Sequence, residues 1–395
     1  MECKHLGRHR FIQLDVFTRE PFAGNSLAVF PEAEGLTDEE MMKIAREMNL
    51  SETVFVLKPD TNQQTANSKQ QAESDSPSTN VSQQSPKASS QRDGIPEGSA
   101  QKEALKESVA FETESEAASQ NKSGTGVGPG NEDDMDNARP SVLRRLRIFT
   151  PVREIPFAGH PVVGSWNALA REGVVPLPEG GNGWTRIHHE LGIGILPVDI
   201  EFKDGMPVQV VMTQGKFEII ADVDDWHEQA ELARALGLAR EDLDENLPIQ
   251  VISTGLPFLA VPVRSLSDLR RCRVNAALLA EIYERAGSTG CYPFTRETIE
   301  IGASRAHARL FAPADNISED PATGSAAGAL GGYLVHHGAV NVEARDGSFR
   351  FVIEQGDFMN RPSRINIEVK GNLGSVDEVR VGGPSVVVAR GEVVF

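Results

Sequence analysis

The stretch that most constrains this chain is Glu319 to Tyr333, which reads Glu-Asp-Pro-Ala-Thr-Gly-Ser-Ala-Ala-Gly-Ala-Leu-Gly-Gly-Tyr. Beyond its polar opening it is small or apolar throughout, and a helix that is apolar on every side has to be buried. Its four glycines each cost about 1 kcal/mol against alanine inside a helix, so close packing must supply what propensity lacks. Proline is favoured at the first helical position, where its missing N–H would be unpaired anyway. Asp320 is therefore expected as the N-cap and Pro321 as the first helical residue. The start of such a helix presents unpaired N–H groups and the positive end of its dipole, which favour an anion such as a substrate carboxylate.

The arrangement occurs twice. Arg147 to Pro151 reads Arg-Ile-Phe-Thr-Pro and leads into His160-Pro161-Val162-Val163-Gly164-Ser165; Arg309 to Pro313 reads Arg-Leu-Phe-Ala-Pro and leads into Asp320-Pro321-Ala322-Thr323-Gly324-Ser325. From His160 or Asp320 through proline to Gly-Ser the spacing is the same. A repeat of this kind predicts two similar halves, each sending a buried helix to a shared site. Two helix N-termini facing one cleft would form an anion pocket.

Length and charge narrow the class. At 395 residues the chain exceeds one ordinary domain. A formal charge of −18 argues against a nucleic-acid or anionic-membrane surface, since both need a basic footprint. The three cysteines, Cys3, Cys272 and Cys291, lack metal or redox spacing, which fits a reducing compartment better than a disulfide framework. No apolar run has the roughly 18–20 residues of a membrane span, and the start of the chain lacks the apolar region of a signal peptide. The expectation is a cytoplasmic protein with neither a membrane nor a nucleic-acid partner.

Along the chain, Phe11 to Val29 alternates as a strand, a turn at Pro21 to Asn25 and a second strand. Thr37 is placed to cap an amphipathic helix whose inner face carries Met41, Ile44, Ala45 and Met48. Glu52 then stands at the junction with a strand over Thr53 to Leu57. From about Pro59 to Pro140 the composition turns to Ser, Gln, Asn, Glu, Thr and Gly, too poor in apolar surface to offset the entropy of ordering. Residues 59–140 are therefore expected to be a disordered insertion. Beyond it the pattern predicts a strand at Leu146 to Phe149, a helix from Pro161 to Glu172 and β runs between Ile187 and Ile220. A helix from Glu228 to Leu238, a broken strand within Gln250 to Val263 and a helix near Asn275 to Ala286 come next. A strand from Thr298 to Leu310, the second central helix and a β-rich tail from Phe349 complete the chain. Many short strands with two buried helices make an α+β pattern. Residues 1–58 with 141–218 form the expected N-terminal half, to which the last strand, 385–395, is a candidate addition, and 219–384 form the C-terminal half.

Four side chains are candidates for chemistry, each beside a plainer reading. Asp320 could be a helix cap and nothing more. His160 is not a favoured cap, so its place before Pro161 asks for another role. Glu52 can reach a cleft from a helix-to-strand junction or simply meet solvent. Ser325 is small enough for close helix packing, yet its hydroxyl sits in a first turn where a ligand would bind. Gly159, Thr323 and Gly324 belong to the same helix starts and are expected to bind substrate. His188-His189 and His336-His337 are adjacent pairs without a third ligand at metal spacing and read as solvated faces. No Walker, dinucleotide or nucleophile-elbow pattern appears in context. Neither a metal nor a cofactor is expected.

Several blocks together carry a family resemblance. Gln13-Leu14-Asp15-Val16-Phe17 with Phe22-Ala23-Gly24-Asn25, Asn49-Leu50-Ser51-Glu52-Thr53-Val54-Phe55, Phe149-Thr150-Pro151 with Pro156-Phe157-Ala158-Gly159-His160-Pro161, Glu319 to Ser325, and Glu354-Gln355-Gly356 with Arg361-Pro362-Ser363 resemble the phenazine-biosynthesis PhzF-like proteins. The blocks fall in order and span nearly everything outside residues 59–140. The resemblance implies a diaminopimelate epimerase-like α+β fold: two pseudo-symmetric domains, each a curved antiparallel sheet round a central helix, with the site between them. Epimerases of this fold use two cysteines, and the corresponding places here look like Ala158 and Asp320, which disfavours two-thiol racemisation. In the family's isomerase a Glu moves a proton between carbons of dihydro-3-hydroxyanthranilate, and the matching residue is Glu52. The family's supporting His, Asp and Ser match His160, Asp320 and Ser325. The resemblance thus implies a cofactor-independent isomerase of a small carboxylate-bearing metabolite, acting as a homodimer. An epimerase using Glu52 and Asp320, and a non-catalytic binding or regulatory protein on the same fold, are the alternatives.

Overall fold

The computed structural model describes residues 7–60 and 142–395. Apart from Pro59 and Asp60, the insertion expected over 59–140 lies outside the described residues. In the N-terminal half the strands lie in the spatial order Ser385–Val394, Arg8–Val16, Asn25–Phe30, Glu52–Leu57, Val142–Phe149, Gly183–Leu191, Gly194–Lys203 and Met206–Thr213. In the C-terminal half the order is Glu218–Asp222, Gln250–Ser253, Pro257–Pro262, Cys291–Thr295, Ser304–Ala308, Ser348–Gln355, Ser363–Asn372 and Ser375–Gly383. Counting from Arg8–Val16 in one half and from Gln250–Ser253 in the other, successive pairings are antiparallel, parallel, antiparallel, parallel, antiparallel and antiparallel. Among the described residues the repeat seen around two helices therefore extends to the strand pairings of both halves. The sheets are mostly antiparallel, with two parallel pairings in each half. They meet where Met206–Thr213 pairs antiparallel with Ser375–Gly383.

Each sheet curls round one helix. The first central helix is Gly159–Arg171 and the second Gly324–His336, and every residue from Gly159 to Ala170 and from Gly324 to Val335 is buried. Glycine permits this closeness: a Cβ on Gly331 would stand 2.5 Å from Ile367 Cγ2, and one on Gly164 would stand 2.6 Å from Leu27 Cδ2. The other sheet faces are covered by surface helices. Asp38–Met48, held by a capping box between Thr37 and Glu40, lays Met41, Ile44 and Ala45 on Ala28, Phe30 and Phe55. Trp226–Ala235, Leu266–Arg271 and Ala276–Arg285 do the same for the C-terminal half. Among the described residues no helix is long and apolar enough to cross a membrane.

Three local expectations are corrected. The strand expected over Thr298 to Leu310 is confined to Ser304–Ala308 and Leu310–Ala312. The alternating run before it reads like a strand, but the buried Glu354 carboxylate takes the N–H groups of Ile299 and Glu300 at 2.7 Å each, where a neighbouring strand would otherwise bind them. The strand Cys291–Thr295 was not foreseen, because Pro293 breaks its pattern. His189 is not on a solvated face: it is buried and accepts a hydrogen bond from Trp166 Nε1 at 3.0 Å.

Candidate active site

The helix starts differ from those read in the sequence. The first helix begins at Gly159 with Ala158 as N-cap, so His160 and Pro161 already lie inside it. The second begins at Gly324 with Thr323 as N-cap. Asp320 caps nothing; it ends the strand Ile317–Asp320. The identical His/Asp-Pro spacing thus marked the repeat out of register, and the helices themselves align Ala158 with Thr323, Gly159 with Gly324 and His160 with Ser325. The place corresponding to Ala158 is Thr323 rather than Asp320. Neither cap residue gives its helix a side-chain hydrogen bond, which leaves first-turn N–H groups for another acceptor. The two starts also touch, since a Cβ on Gly159 would stand 3.4 Å from Ser325 N and 3.5 Å from Gly324 Cα.

Glu52 opens the strand Glu52–Leu57 and reaches toward the first helix. Its Oε2 lies 3.3 Å from His160 Nε2, with the two side chains 14% and 6% exposed. That is ion-pair distance without hydrogen-bond geometry, and neither atom has another hydrogen-bond partner. Burial, then the charge of Asp320, pushes the Glu52 carboxyl up to about 8, against the opposing pull of the Ser51 hydroxyl. Burial pushes His160 down to about 3, so its ring is neutral at ordinary pH.

Asp320 comes from the other half. Asn25 Nδ2 donates to its Oδ1 at 2.9 Å and the Thr323 hydroxyl donates to its Oδ2. Burial raises its carboxyl to about 6, while those two hydrogen bonds pull the other way. Gln355 holds the turn in place: Nε2 donates to the Asp320 carbonyl at 2.8 Å, and Oε1 accepts from Tyr292 Oη at 2.8 Å and from Thr323 N at 3.3 Å. Glu52 and Asp320 interact through their charges. Both carboxyls are raised by burial, and the charge of Asp320 raises Glu52 further, so Glu52 is the member of the pair that holds its proton to the higher pH.

The structure brings Glu52, His160, Asp320, Gly159, Thr323, Gly324 and Ser325 to one place. Ser325 is buried, and its carbonyl lies 3.5 Å from Thr254 Oγ1. Sequence reasoning missed Asn25, Tyr292 and Gln355. Asn25 and Gln355 stood inside quoted blocks, but the first read as a turn residue and the second as part of a strand. Arg361 binds across the halves, with Nε to the Gly24 carbonyl and Nη2 to the Ala23 carbonyl and Asp15 Oδ1, all at 2.7 Å. An open surface cleft between Asp224, Arg240 and Asn246 contains none of these residues. Among the described residues no cluster of His, Cys, Asp and Glu has the arrangement of a metal site.

The comparisons with known proteins agree with this fold. The family model described as phenazine biosynthesis-like protein, PhzC-PhzF, matches residues 14–69 and 136–391. An uncharacterized isomerase of Clostridium acetobutylicum is 31% identical over 389 residues, covering 98% of this chain and 99% of that relative. The trans-2,3-dihydro-3-hydroxyanthranilate isomerase of Pseudomonas aeruginosa is 28% identical over 384 residues, covering 97% of this chain and 98% of its own. Among solved structures, the PhzF-family phenazine biosynthesis protein of Bacillus anthracis superposes with a TM-score of 0.68 at 22% identity, over 98% of this chain and 100% of that one.

Proposed function

We propose, for a chain that belongs to the phenazine biosynthesis-like PhzC-PhzF family and is an isomerase of it, that Glu52 moves a carbon-bound proton between two positions of a small carboxylate-bearing metabolite without a cofactor. The observation that carries this reading is a buried carboxyl raised to about 8 beside a neutral imidazole, where two uncapped helix starts meet. A general base works best when its pKa lies near the working pH, and burial has moved Glu52 there. The ionised carboxylate takes a proton from a carbon conjugated with the substrate's carboxylate. The bonding pair shifts into the conjugated system, negative charge grows on the substrate oxygens, and the free N–H groups at Gly159, Gly324 and Ser325 are placed to bind it. Glu52 then returns the proton to another carbon. One proton leaves and one arrives, so nothing is oxidised or reduced.

The test is proton exchange in deuterium oxide followed by NMR, with trans-2,3-dihydro-3-hydroxyanthranilate, the Pseudomonas relative's substrate, as first probe and other small unsaturated amino and hydroxy acids after it. Wild type should place deuterium on carbon, and Glu52→Gln should slow this by about 10²–10⁴-fold. Full exchange by the glutamine variant would remove Glu52 from the role. A second reading, epimerisation with Asp320 as the opposite proton carrier, is favoured by the burial and raised pKa of that residue. It requires inversion at a single carbon rather than movement between carbons.

A further inference from the structure

Asn25 begins the strand Asn25–Phe30 and is 1% exposed where the two halves meet. The two sides of its amide have opposite neighbours. Nδ2 lies 2.9 Å from Asp320 Oδ1 and 2.9 Å from the Ala322 carbonyl, both of which only accept. Oδ1 accepts the Ser51 hydroxyl at 3.1 Å. A flipped amide would set oxygen against two oxygens, so the network fixes its orientation. The same Nδ2 stands 3.4 Å from His160 Nδ1. The two amide hydrogens serve the acceptors at 2.9 Å, and His160 Nδ1 is a longer third neighbour of the same donor group. A proton on Nδ1 would point N–H at N–H, so the ring nitrogen facing the amide is the unprotonated one. The proton of the neutral imidazole then sits on Nε2, the atom that faces Glu52 Oε2 at 3.3 Å.

We infer that Asn25 is a positioning residue that sets the tautomer of His160, so that the ring turns its protonated nitrogen, not a lone pair, toward Glu52, at 3.3 Å and off the line of a hydrogen bond. An N–H beside Glu52 favours the carboxylate that accepts a proton from carbon; a lone pair would favour the carboxylic acid. The titratable groups around the ring are Glu52 on one side and, through the Asn25 amide, Asp320 on the other. Because the amide that binds Asp320 also faces His160 Nδ1, it ties the proton on the first half's histidine to the docking of the second half's aspartate. The inference rests on Glu52 being the proton carrier, but its own test reads the ring directly.

That test is ¹⁵N NMR of the full chain labelled at histidine, without substrate and near neutral pH, with His160→Gln assigning the signal. Wild type should show the proton on Nε2. Asn25→Asp, nearly the same shape, places an acceptor opposite Nδ1 and should move the proton to Nδ1; Asn25→Ala should leave both tautomers populated. A wild-type proton on Nδ1, which needs no variant to fold, overturns the inference, as does an unchanged Nε2–H signal in both folded variants. Exchange assays give an independent arm, because the charge added in Asn25→Asp should shift the rising limb of the rate to higher pH. If Glu52→Gln retains full exchange while the tautomer behaves as expected, the functional reading fails and the hydrogen-bond assignment stands.

Discussion

The first central helix starts Ala158-Gly159-His160 and the second Thr323-Gly324-Ser325, on halves whose strand pairings match one for one. The residues around those starts have diverged. In the first half, Glu52 lies on the same strand face as Val54 and Val56, which point into the central core. In the corresponding strand of the second half, Tyr292 points into that core and gives its hydroxyl to Gln355. One half thus brings a carboxyl with a histidine beside it. The other brings a second carboxyl, Asp320, held by Thr323 and, from across the boundary, Asn25, while Gln355 holds its backbone carbonyl. A duplicated scaffold yields two equivalent helix starts, and a few side chains decide which of them carries the proton.

Glu52→Gln is the severest test of that asymmetry, with exchange slowed by about 10²–10⁴-fold. Asp320→Asn should cost less, on the order of 10²-fold, and should also move the pH dependence. The charge of Asp320 raises the Glu52 carboxyl, so its removal lowers that pKa, and the limb rising with pH through about 8 should shift to lower pH. A loss as large as that of Glu52→Gln, with no shift, would break the comparison in favour of two equal proton carriers. Arg361→Ala probes how the halves are joined. Asp15 is 2% exposed and loses a charged partner, so stability in urea titration should fall by about 2 kcal/mol, and an unchanged midpoint would show that the joint does not depend on it. Smallest are the packing variants. Gly331→Ala drives a methyl into the branched carbon of Ile367, costing about 1–3 kcal/mol of overpacking against about 1 kcal/mol of helix propensity gained. Gly164→Ala meets the mobile end of Leu27 as well as Val16 and should cost less; the reverse order in thermal melts would mean that the first helix is the more tightly wrapped.

Much of the fold was legible because its signals are local. A run of small and apolar residues can only be a buried helix, the Thr37 capping box announces itself in four residues, and a repeated helix start implies a repeated half. Signals failed where a distant group took over a local pattern. Ile299 and Ile301 alternate like strand residues but are exposed, in a segment where Glu354, distant in sequence, takes the backbone N–H groups of Ile299 and Glu300. Asp320 before Pro321 looked like a cap, but the strand paired with Leu310 runs on to it and postpones the helix to Gly324. Within the site, Glu52, His160, Asp320 and Ser325 could be named from residue type and motif. Asn25 and Gln355 could not, since an amide in a turn or strand acquires meaning only from what it touches.

The sequence by itself determined the two buried helices, the duplicated α+β architecture and the family, since all three follow from periodicity, residue size and motif order along the chain. Only the tertiary structure decided which helix positions correspond, which nitrogen of His160 faces Glu52, and that burial raises both carboxyls, Glu52 further than Asp320. Desolvation and charge interactions depend on atoms within a few ångströms, and here those atoms come from residues more than a hundred positions apart.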